Sequence, residues 1–115
     1  MEITLQSDKI YIADKPVDFR KSIDGLSALV IEELQKNPGE GVYIFYSKSL
    51  NRIKILSWHR NGFIMIYKRL ESGKFFVRYD GGNNLAINSE QLNWLLIGVD
   101  WRLLSGGNCN INAYF

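Results

Sequence analysis

The sequence predicts an α+β fold, an antiparallel β-meander packed against one long and one short α-helix. Three stretches of the 115-residue chain carry that prediction. Residues 19–36 repeat apolar side chains at three- and four-residue spacing, residues 42–79 set short apolar runs between turn residues, and residues 89–97 follow a helix-capping signal. At 46% hydrophobic and 13% aromatic, a chain of this length has material for one packed core. The expected division is a single domain over 1–104 and a flexible Gly/Asn-rich tail over 105–115.

Residues 3–12 alternate loosely, with Ile3, Leu5, Ile10 and Ile12 apolar, and read as short strands around Ser7-Asp8-Lys9. Pro16 ends extended structure, and Asp18 is placed to cap a helix running to Lys36, with Phe19, Ile23, Leu26, Val30 and Leu34 on its buried side. Asn37-Pro38-Gly39 stops it. Val42 to Tyr46 is continuously apolar and aromatic, as a strand buried on both faces is. After a turn at 47–51, residues 52–58 form a strand with Arg52 and Lys54 on one face and Ile53 and Ile55 on the other. Arg60-Asn61-Gly62 is the strongest hairpin signal in the chain, since Asn-Gly accepts the positive φ angles of a type I′ turn. Phe63 to Leu70 returns from it, and Phe75 to Tyr79 is the fourth strand of the meander. Following a Gly/Asn loop at 80–84, Asn88 caps a short helix over 89–97, Gln91 standing at the capping-box position and Gly98 at the stop.

The net charge of +2 says little, but its distribution is uneven. Between Lys48 and Arg78 lie eight of the fourteen Lys/Arg residues and one of the twelve Asp/Glu residues, Glu71. Such a segment, interleaved with and flanked by Tyr46, Trp58, Phe63, Tyr67, Phe75 and Tyr79, has the cations that neutralise phosphates beside the aromatics that stack on bases. The plainer alternative is a solvated sheet face whose lysines and arginines guard its edges. Arg20 and Lys21 also fall in the first turn of the expected helix, where cations oppose the macrodipole. Either they grip a phosphate with the free amides of that turn, or Arg20 pairs with Asp24 four residues on. Gly25 inside this helix implies close packing there.

Other chemistries find less support. His59 is the sole histidine and has no Cys or carboxylate cluster beside it in sequence, so no metal site is expected. No nucleophile elbow or phosphate-binding glycine loop is present, and Asp18 and Asp100 read better as caps or loop residues than as metal-binding carboxylates. A non-catalytic protein without cofactor is expected. The lone Cys109 fits a reducing cytoplasm, and the N-terminus has neither an export signal nor a membrane-spanning run.

Four ordered stretches are similar to a known family. They are Asp18-Phe19-Arg20-Lys21-Ser22-Ile23-Asp24-Gly25-Leu26, Lys54-Ile55-Leu56-Ser57-Trp58-His59-Arg60-Asn61-Gly62, Lys68-Arg69-Leu70-Glu71-Ser72-Gly73-Lys74-Phe75, and Gln91 to Trp101. In order and spacing they resemble the small accessory protein encoded by the second open reading frame of insertion sequences of the IS66 family. The resemblance spans residues 10–102. It departs in the neutral tail from Ser105 to Phe115, where relatives often end in basic residues, and in His59, where an acidic residue is common. Because that family encodes its transposase separately, the resemblance implies a non-catalytic protein assisting DNA transposition. DNA ends and the element's transposase are the implied partners. DNA binding by a basic sheet face would engage Arg20, Lys21, Arg52, Lys54, Arg60, Lys68 and Arg69; the alternative is an adaptor that docks onto the transposase without touching DNA.

Overall fold

The computed structural model describes residues 9–77 and 85–99. At its centre lies β2 (Val42–Tyr46), five residues all buried. Five strands form one sheet in the order β4-β3-β2-β1-β5, from β4 (Gly62–Arg69) through β3 (Arg52–His59) and β2 to β1 (Ile10–Ile12) and β5 (Leu85–Ile87). The sheet is mostly antiparallel, with one exception. β1 pairs parallel with β2, Ile10 against Val42 and Ile12 against Ile44, because the chain leaves β1, runs through helix α1 (Ile23–Glu32), and re-enters the sheet in the same direction. The meander therefore has three strands, β2 to β4, and not four. Phe75 to Val77 is not a strand: the Phe75 amide donates to the Leu50 carbonyl, and its ring is buried beside the 47–51 turn. Arg78 and Tyr79 lie outside the described residues, as do 105–115.

α1 is shorter than its apolar spacing predicts. Ser22, not Asp18, is its N-cap, because the Asp18 carboxylate is taken by Arg20 and closes a separate turn before the helix. It ends where Gln35 takes a left-handed conformation at φ 55° and the Leu34 and Lys36 amides return five and six residues back, to the Leu29 and Val30 carbonyls, a widened last turn that shuts off propagation. Leu26, Val30 and Leu34 are buried as expected. Where an added Cβ at Gly25 would sit, the Lys21 stem lies 3.2 Å away, so the close packing is with the preceding turn.

Helix α2 (Ser89–Ile97) follows its sequence signal closely. The Asn88 side chain accepts from the Gln91 amide at 2.8 Å, Gln91 returns the bond to the Asn88 amide, and Gly98 closes the helix at φ 85°. α1 and α2 lie on opposite faces of the sheet. One face carries Tyr43, Phe45, Lys54 and Leu56 beneath α1; the other carries Ile44, Ile53, Ile55 and Lys68, with Lys68 reaching α2. Ile53 to Ser57 of β3 are consequently buried on both faces, where the alternation in sequence implied one solvated side.

Candidate nucleic-acid interface

The β3–β4 register decides where each cation goes. His59 pairs with Gly62, so the loop is Arg60-Asn61, with the positive φ of 57° on Arg60; Gly62 belongs to the strand. Counting back along the ladder sets Trp58 against Phe63, Leu56 against Met65, Lys54 against Tyr67 and Arg52 against Arg69, all on the α1 face. The Leu70 amide bonds the Asn51 carbonyl, which makes 51/70 a hydrogen-bonded pair and 52/69 one of the closer pairs between bonds. Two arginines thus stand directly opposite each other on adjacent strands. Among the described residues only Arg69 of the two has an acid, Glu71 at 3.1 Å, and that carboxylate is 83% exposed on the rim.

Lys54 is drawn away from any outward surface. It is 8% exposed, and its Nζ donates to the Phe19 carbonyl at 2.8 Å and the Lys21 carbonyl at 2.9 Å, 5.0 Å from the centre of the Phe19 ring. The reason is α1: it covers this face, and the turn that precedes it has carbonyls with no helical partner. The anchored turn brings Arg20 and Lys21 to the Lys54/Tyr67 pair, with Phe19 packed 6.2 Å from Tyr67. Arg52 and Arg69 are the next pair along, about 7 Å further on. Arg20 is bidentate to Asp18, not to Asp24, yet its side chain is 92% exposed. That bond, then the Arg20 amide, holds the Asp18 carboxyl at about 2.

The remaining two predicted residues lie elsewhere. Lys68 is on the opposite face, its Nζ 2.6 Å from the Leu96 carbonyl at the end of α2, where an ammonium satisfies the negative pole of the helix. Arg60 is at the hairpin tip, some eight residues or about 25 Å from Arg52. There Trp58 is 43% exposed and meets Phe63 edge-to-face at 5.0 Å. The seven cations therefore do not form one sheet face: Arg52 and Arg69 are paired, the turn carrying Arg20 and Lys21 lies against the neighbouring Lys54, Arg60 stands apart, and Lys54 and Lys68 tie backbone. Among the described residues no group of three or more His, Cys, Asp or Glu gathers as a metal site, and no helix is long and apolar enough to cross a membrane.

Residues 8–105 match the model of the family described as IS66 Orf2 like protein. The chain belongs to this family. Two proteins of Sinorhizobium fredii strain NBRC 101917 / NGR234 are similar to it: uncharacterized protein y4jC, 36% identical over 94 residues covering 81% of this chain and 80% of the relative, and uncharacterized protein y4hO, 33% identical over 98 residues covering 84% and 85%. No solved structure matches. As an IS66 Orf2-like protein the chain is an insertion-sequence accessory protein, of a family not known as catalytic.

In this IS66 Orf2-like protein the two anchored lysines join the four sequence stretches in pairs. Lys54, from the second, holds the carbonyls of the first; Lys68, from the third, holds the end of the helix in the fourth. Sequence alone did not assign them, because a lysine tied to a carbonyl and a lysine facing solvent look the same in a charge count. The Arg52/Arg69 pair was within reach: a two-residue loop at Arg60-Asn61 fixes it by counting.

Proposed function

We propose that this IS66 Orf2-like protein assists transposition by contacting DNA through the cluster of Arg52, Arg69, Arg20 and Lys21, with Arg60 as a separate contact at the hairpin tip. The observation that carries this is the Arg52/Arg69 pair. Like charges directly opposite on neighbouring strands destabilise a sheet, and a phosphate between two guanidiniums turns that repulsion into two charge-assisted contacts. The exposed Tyr67, 49% accessible beside the pair, adds a surface on which a sugar or base can rest. Mobility-shift titrations on the element's terminal DNA at several salt concentrations test it. Arg52→Glu with Arg69→Glu is expected to weaken binding more than about tenfold and to reduce the salt slope by about two, at roughly 0.9 per phosphate contact. Retained binding with an unchanged slope refutes this assignment.

A second possibility, docking onto the separately encoded transposase, is favoured by a different observation, the exposed Trp58 with its Phe63 partner at the tip. Co-purification with the transposase distinguishes the two. Loss on Trp58→Ser together with persistence in the double arginine variant supports docking.

A further inference from the structure

β4 is an eight-residue strand at the edge of the sheet, and the opposite edge is a strand of only three. Because the 51/70 pair is hydrogen-bonded, the even-numbered residues of β4 face β3, and Phe63, Met65, Tyr67 and Arg69 turn their amides and carbonyls outward. No hydrogen bond from another described backbone group reaches them. Natural edges of this length are normally interrupted by a bulge, a proline or a charge in mid-strand. This one has none: Phe63-Ile64-Met65-Ile66-Tyr67 runs through its middle, the first four half-buried and Tyr67 exposed, and its cations, Lys68 and Arg69, stand at one end only.

We infer that β4 pairs antiparallel with the β4 of a second copy of this chain, about a two-fold axis at Met65, so that one sheet runs through both copies. Three features select a second copy. A two-fold perpendicular to the sheet keeps each face continuous, so residues of like parity meet, and every outward-facing residue of one copy finds an outward-facing residue of the other. With Met65 on the axis, Phe63 lies against Tyr67, Ile64 against Ile66 and Met65 against itself, so apolar meets apolar on both faces. The charges agree as well. Lys68 lies against Gly62 and Arg69 against Asn61, placing each Arg69 about 27 Å from its copy, well beyond the screening length of about 8 Å at physiological salt. Parallel pairing in register would instead set Lys68 on Lys68 and Arg69 on Arg69. In the antiparallel pair the Arg52/Arg69 clusters of the two copies sit at opposite ends of the shared strands. The self-pairing does not depend on DNA binding.

Sedimentation of the full chain, without DNA, tests it. The wild-type protein is expected to be a dimer, and Met65→Lys, which brings two ammonium groups together at the axis, to weaken dimerisation at least about tenfold with an unchanged circular dichroism spectrum. Should that variant not fold, Met65→Cys in a Cys109→Ser background decides: it is expected to form a disulfide-linked dimer on mild oxidation, while Ser49→Cys in the same background forms no disulfide across the pair. A wild-type chain that is monomeric at its highest soluble concentration overturns the proposal. So does a dimer indifferent to Met65→Lys, or cross-linking equal at positions 65 and 49. Loss of DNA binding in the arginine variants with dimerisation intact bears on the proposed function alone.

Discussion

Replacing Lys54 with methionine keeps an unbranched stem between α1 and the sheet and deletes the ammonium that bonds the Phe19 and Lys21 carbonyls at 2.8 and 2.9 Å. Each such charge-assisted bond contributes about 1.5–3 kcal/mol, and the ammonium over the Phe19 ring about 0.5–1 kcal/mol more. Against this, the variant no longer buries a charge, a saving of several kcal/mol, while the two carbonyls sit in a turn that water can partly reach. The balance is a loss of about 2–3 kcal/mol, a large fraction of the roughly 5–15 kcal/mol by which a domain is stable. Urea unfolding followed by tryptophan fluorescence measures it, alongside DNA titrations at several salt concentrations. An outward-facing phosphate contact predicts the reverse pattern: stability unchanged within about 0.5 kcal/mol, affinity lowered, and a salt slope smaller by about one. That result would refute the placement of Lys54 as an internal strut.

Asn88→Ala removes the capping box of α2 and is expected to cost about 1 kcal/mol in the same unfolding assay. Gln35→Gly relieves a left-handed residue at φ 55° and is expected to stabilise by about 0.5–1 kcal/mol. Asp18 is expected to titrate near 2 by carbon-detected NMR and to move back towards 3.8 in Arg20→Ala; since its folded pKa is lowered, its contribution is present above about 3.8 and disappears as pH falls through about 2. Tyr43 is pushed up to about 12, first by burial and then by Tyr11 and Glu40, while its hydroxyl bonds the Glu40 and Asn37 carbonyls. Its folded pKa is raised, so stability is expected to fall between pH 10 and 12, and ultraviolet difference titration of Tyr43→Phe should lack the late-titrating phenol.

Much of the fold was legible wherever the determinants were local. Asn88, Gln91 and Gly98 specified α2 because a cap is a contact between residues three apart, and Val42–Tyr46 was readable as central because an unbroken apolar run has no face to give to water. What sequence missed is non-local. Leu85-Ala86-Ile87 is a strand only because β1 offers an open edge, and Phe75 left the meander because its amide is taken by the Leu50 carbonyl and its ring is buried in the core. The Gly62 turn position was misplaced by one step, since the ladder put its positive φ on Arg60.

The same division runs through the site. Sequence by itself determined that the segment from Lys48 to Arg78 is rich in cations and that four ordered stretches belong together, since composition and spacing are properties of the chain. Tertiary structure decided what each cation faces. Two lysines of one charge run, Lys54 and Lys68, emerge on opposite sides of the sheet and end on backbone carbonyls, while Arg52 and Arg69, seventeen positions apart, are brought face to face. The physical reason is that a cation's role depends on the dielectric and the partner at its tip, and both are supplied by whichever distant helix covers that face.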